Sequence, residues 1–133
     1  MISNWHESIN KQDASKLGSM LSDNAVLHSP VIHTPIQGKK MVSMYLQAAF
    51  HTFLTDDFHY VKEFVNGQTA VLEFQLTLNG IEVNGIDMIT WNDDQQITEF
   101  KVMIRPFKAL NMINDQMTAM LAKLQQQVPQ YAQ

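Results

Sequence analysis

Residues 58–106 read FHYVKEFVNGQTAVLEFQLTLNGIEVNGIDMITWNDDQQITEFKVMIRP. Apolar residues recur here with a period of two, the spacing of a strand with one buried face. Asn66-Gly67, Asn79-Gly80 and Asn92-Asp93-Asp94-Gln95 interrupt the pattern. Asn-Gly pairs suit two-residue hairpin turns because both residues tolerate positive φ. The stretch is therefore predicted to form four strands: Phe58–Val65, Thr69–Leu78, Ile81–Trp91 and Ile97–Arg105, the last stopped by Pro106. Three successive hairpins make an antiparallel meander. On the second strand Leu72, Phe74, Leu76 and Leu78 share one face, and Glu73, Gln75 and Thr77 the other. On the third, Val83, Gly85, Asp87, Ile89 and Trp91 share a face, so one carboxylic acid sits in an apolar row.

Helices flank the meander. Lys39–Phe53 carries Val42, Leu46, Ala49 and Phe53 on one stripe, with Tyr45 beside it. Residues 2–11 are predicted as a short helix with Trp5 and Ile9 stacked. Asp13 suits the N-cap of a second helix with Leu17, Met20 and Leu21 inward. Asn24–Ser29 reads as a strand and Pro30–Gly38 as a loop. The last helix is predicted over Phe107–Gln127, with Phe107, Leu110, Ile113, Met117, Met120 and Leu124 facing inward. A fraying tail is expected from Gln125–Gln127 and Pro129 on. The order is α-α-β-α-β-β-β-β-α, an α+β fold, and 133 residues suit one domain over 1–133.

Composition narrows the function. The charged fraction is 17% and the net charge −4, with no Lys/Arg run to track a phosphate backbone, so nucleic acid is not an expected partner. So few charges leave apolar surface suited to another subunit. There is no cysteine, which excludes disulfides, thiolate nucleophiles and cysteine-bound zinc. The histidines show no H-x-x-x-H or H-E-x-x-H spacing, so no metal is expected. No Gly-rich phosphate loop or G-x-S-x-G elbow occurs, and no cofactor is expected. No stretch approaches the ~18 apolar residues of a membrane span. The N-terminus MISNWHESINKQD lacks an apolar signal core, so a cytoplasmic location is expected.

Two segments carry a family likeness. One is VLHSPVIHTPIQG (Val26–Gly38), a strand ending in Pro and a loop leading to a helix at Gly. The other is GIDMITWNDDQQITEFKVMIRP (Gly85–Pro106). With the element order, they resemble the nuclear transport factor 2-like superfamily and, within it, the SnoaL-like proteins. The resemblance implies a cone: a bent antiparallel sheet wrapped around helices, with a ligand pocket at the open end. It also implies a homodimer paired through the outer sheet face. Set beside ketosteroid isomerase, Asp87 falls where that enzyme keeps a protonated aspartic acid. Trp5 falls at its oxyanion tyrosine and Ser29 at its general-base aspartate. Ser29 cannot serve as that base, so the comparison speaks against ketosteroid isomerisation itself.

Asp87 is the first candidate for chemistry. A carboxyl among apolar neighbours is desolvated, its pKa rises, and it becomes a general acid or neutral donor. His28, at the end of the first strand, could move a proton near pH 7. Trp5 could offer its indole N–H, and Tyr45 its hydroxyl, to a ligand. Ser29, Phe74 and Trp91 are expected to line the pocket, and Arg105 to stand at its mouth. The expectation is a pocket for a small hydrophobic molecule, serving an acid–base isomerase, cyclase, dehydratase or hydrolase. The alternatives are a binding module without turnover and a protein-interaction domain.

Overall fold

A computed structural model describes residues 1–126. It holds four α-helices and one six-stranded sheet, ordered β2-β1-β6-β5-β4-β3. The strands are β1 (Leu21–His28), β2 (Ile36–Gln37), β3 (His59–Asn66), β4 (Thr69–Leu78), β5 (Ile81–Trp91) and β6 (Ile97–Arg105). β3 to β6 pair antiparallel in sequence, as the Asn-Gly turns dictate. Asn79, Gly67 and Gly80 all take positive φ. β1 joins the far side of the sheet parallel to β6, and β2 pairs antiparallel to β1.

The sheet is curved and does not close. Pairing slips by three residues in β1 between Leu21 and Val26, and by one in β3 between Tyr60 and Lys62. Such bulges add local bend and twist. The concave side holds α1 (Ile2–Asn10), α3 (Lys39–Phe53) and α4 (Phe107–Gln126). β5 alternates as its sequence requires, with Val83, Gly85, Asp87, Ile89 and Trp91 all buried. One core cluster gathers Trp5, Leu21, Val42, Leu46, Leu72, Ile89 and Phe100; a second holds Phe74, Leu76, Val83, Ala109 and Ile113. Each fully buried Leu or Ile contributes roughly 1.5–3 kcal/mol.

The structure corrects four expectations. Asp13 caps as foreseen, its carboxylate accepting from the Ser15 amide at 2.9 Å. The chain then makes only a 3-10 turn, Ala14–Lys16, and a single helical turn α2, Leu17–Met20. Leu21 is extended (φ −101, ψ 138) and opens β1, three residues before the expected start at Asn24. Its burial comes from the sheet, not a helix. The loop Pro30–Gly38 contains β2, because Ile36 and Gln37 find free backbone partners along β1. Phe107 stands 76% exposed. The buried stripe of α4 is set by Ala109 and Ile113, where the small alanine lets the helix approach the sheet. The expected last residue of that helix, Gln127, and the tail beyond lie outside the described residues.

Candidate ligand pocket and its buried acid

Between the concave sheet face and the helices lies a cavity of about 400 Å³. α1 contributes Trp5 and Ile9, α3 contributes Tyr45, Leu46 and Phe50, and the strands contribute Leu27, Tyr60, Phe74 and Phe100. Ser29–Ile32 and the α4 residues Met117, Thr118 and Leu121 complete the wall. Among the described lining residues there is no Lys, Arg, His or Glu, and Asp87 is the one carboxylic acid.

Asp87 is 8% exposed. Burial pushes its carboxyl up to about 7, offset only in part by a hydrogen bond from Tyr60. The Tyr60 hydroxyl donates to Asp87 Oδ2 at 2.7 Å. The Trp5 indole Nε1–H in turn donates to Tyr60 Oη at 2.9 Å. Desolvation and the neighbouring Asp87 charge hold the Tyr60 phenol well above its ordinary range.

The direction of this relay is fixed by its far end. An indole N–H only donates, so Tyr60 Oη accepts from Trp5 and turns its single proton toward Asp87. Oδ2 is thereby occupied as an acceptor. A proton carried by Asp87 then resides on Oδ1. That oxygen has no hydrogen-bond partner among the described residues, and Asp87 lines the cavity. Neutral Asp87 thus presents a donor to the hollow, and ionised Asp87 presents an acceptor.

Five of the eight residues singled out from sequence line the cavity: Asp87, Trp5, Tyr45, Ser29 and Phe74. Trp5 spends its N–H on Tyr60, so it serves Asp87 through the tyrosine. Ser29 Oγ accepts from the amides of Val31 and Ile32, at 3.1 and 3.4 Å, and shapes the rim turn.

The other three are elsewhere. Leu27 points inward, so His28, the next residue on the strand, points outward and meets Glu99 at 3.4 Å. The structure does not bring His28 and Asp87 together. Trp91 is buried in the core away from the lining. Arg105 is exposed on the outer side, where its guanidinium donates to Asn84 Oδ1 at 3.4 Å.

Tyr60 is the residue that sequence reading passed over. It stands two residues after Phe58, which directly precedes β3, and that alternation of aromatics was its signal. Phe58 and Tyr60 meet edge to face, with ring centroids 5.2 Å apart. Among the described residues no three metal-ligating side chains converge. No described helix is long and apolar enough to cross a membrane.

A family model for the SnoaL-like domain matches residues 2–100, from the first helix into β6. The chain belongs to the SnoaL-like family. SnoaL-like architecture recurs in solved structures. A steroid delta-isomerase from Pseudomonas aeruginosa is 36% identical over 92% of this chain and 90% of its own, with a TM-score of 0.87. An uncharacterised bacterial protein with a cystatin-like fold, from Silicibacter pomeroyi, is 27% identical over 89% of this chain and 82% of its own, with a TM-score of 0.81. A nuclear transport factor 2-like protein of unknown function from Mesorhizobium loti shares the fold: 15% identity over 79% of this chain and 88% of its own, TM-score 0.68. No curated protein is significantly similar to the chain.

Proposed function

We propose that this SnoaL-like chain binds a small, largely apolar molecule with one hydrogen-bonding oxygen, and that Asp87 exchanges a proton with that oxygen. The observation that carries the reading is the free Oδ1 of a buried acid in a largely apolar hollow, its other oxygen fixed by Tyr60. A neutral acid aimed into a largely apolar cavity stabilises charge developing on a ligand oxygen. With a pKa near the working pH, the same group can give the proton and take it back. Isomerases, cyclases, dehydratases and hydrolases all use such a step.

The likeness to a steroid delta-isomerase makes double-bond isomerisation the first reaction to assay. The route through a base at Ser29 is not part of this reading, because that hydroxyl is engaged with the Val31 and Ile32 amides. Nor is His28 part of it, since it stands on the opposite face of the sheet.

A second reading, binding without turnover, is favoured by one observation. Apart from Asp87, the titratable groups in the described lining are the phenols of Tyr45 and Tyr60, so no second base is at hand. Turnover and binding of steroid enones and apolar ketones by wild type and Asp87→Asn separate the two. Turnover lost in the variant supports the enzyme; binding lost with no turnover in either protein supports the carrier. Unchanged binding and turnover in Asp87→Asn sinks both.

The same proposal includes a homodimer across the convex face. There the register aligns Phe64, Val71 and Met88 in one row and sets Ile86 beside Met103 in the next. Phe64 and Met103 are exposed, at 66% and 51%. A light-scattering mass of one chain in dilute buffer contradicts it.

A further inference from the structure

We infer that Gly85 determines ligand width, by letting the Phe74 ring sit close against β5 and hold the aromatic wall out of the cavity. The inference rests on the pocket proposed for this chain but not on the chemistry of Asp87. Gly85 lies on the inward face of β5, directly opposite Phe74 on β4 and two residues before Asp87. A Cβ built on Gly85 would stand 2.6 Å from Phe74 Cζ and 3.1 Å from Cε1. The ring therefore occupies the space a side chain at position 85 would fill.

Phe74 does not act alone. It stacks on Phe58 with centroids 5.6 Å apart and planes 24° from parallel. It meets Phe53 edge to face at 6.0 Å. Phe58 then meets Tyr60, which holds Asp87. All four rings line the cavity. A wall of this kind moves as a unit, because close-packed rings have little room to yield singly. Any side chain at position 85 would drive Phe74 off the sheet, carry Phe58 with it, and narrow the hollow beside Asp87. Glycine is structurally useful here as well, since aromatic side chains commonly cover a strand glycine across the ladder. The consequence for ligand width comes from where that ring lies.

Two neutral fluorescent phenols test this: 2-naphthol, with two fused rings, and 1-hydroxypyrene, with four. Dissociation constants are measured at pH 6 for wild type, Phe74→Leu and Gly85→Ala. A Cβ at position 85 also falls 2.3 Å from the Met103 carbonyl oxygen, which is backbone and cannot swing away. Where Gly85→Ala does not fold, Phe74→Leu carries the test alone, since it leaves the strands in place. Removing ring volume should move the affinity ratio toward hydroxypyrene by about tenfold, the usual worth of a small volume change in an apolar pocket. Folded Gly85→Ala should move it the other way. A ratio unchanged in Phe74→Leu, or equal loss of both ligands, overturns the inference and leaves the pocket standing. Wild-type protein that binds neither phenol overturns the pocket reading and this inference with it.

Discussion

The two faces of the sheet put similar groups to different ends. On the concave face Asp87 sits on β5 with apolar neighbours and one phenol for a partner. On the convex face Glu99 and His28 lie on β6 and β1 in contact with water, their side chains 48% and 29% exposed. Each arrangement contains a carboxyl and a hydrogen-bond partner. The difference is one residue of parity along a strand, which decides whether the group meets solvent or the core. Buried, the carboxyl retains its proton to about pH 7. Exposed, a polar contact of this kind is worth ~0–1 kcal/mol. The environment of a polar group in this fold therefore follows the face on which the residue lands.

Stability against pH should show the contrast most strongly. Asp87 carries a proton in the folded chain up to about pH 7, while its ordinary value is 3.8. Between those values the folded state binds more protons than the unfolded one, so stability falls as pH rises through the window and levels off above it. The shift corresponds to a loss of up to roughly 4 kcal/mol. In Asp87→Asn that descent should vanish, leaving the variant more stable than wild type at pH 8. Urea unfolding at pH 5 and pH 8 checks it, and parallel profiles for the two proteins contradict it.

A purely apolar change sharpens the comparison. Ile89 is fully buried on the concave face of β5, and Met88, its neighbour, is half-buried on the convex face. Ile89→Ala should lose about 3 kcal/mol through lost burial and the cavity left behind, and Met88→Ala about 1 or less. Equal losses in denaturant would mean that the convex face is packed as tightly as the core.

How much of this was legible depends on the same parity. The bounds of β4, β5, β6 and α3 and the inward aim of Asp87 were readable, because long alternation and Asn-Gly turns leave little choice of register. β1 was harder. Its parallel pairing with β6 joins segments about 70 residues apart, and short polar Ser22-Asp23-Asn24 masks its start. His28 could have been placed outward by counting from Ala25 and Leu27, both buried. Its position before Ser29-Pro30 drew attention to the rim instead. Tyr60 was hidden because its partners come from α1 and β5, and no local pattern records a contact across 55 residues to Trp5.

Two smaller effects bound the relay. Tyr60→Phe removes the phenol proton that lowers the Asp87 pKa, so that pKa should rise further. The lost hydrogen bonds should cost about 1–2 kcal/mol. Carboxyl infrared difference spectra during a pH titration read the shift, and a midpoint that moves downward contradicts the relay. Smallest of all, His28→Gln should change stability by about 0.5 kcal/mol or less and leave the Asp87 midpoint in place. A midpoint that tracks His28 would couple the two faces after all.

The most direct measurement is the ¹³C shift of the Asp87 carboxyl carbon, monitored from pH 3 to pH 9 and assigned by its absence in Asp87→Asn. The expected midpoint lies near 7, well above that of a solvated aspartate. A midpoint near 4 would mean that water reaches the carboxyl freely, and the hollow would then offer no protonated acid to a ligand at neutral pH.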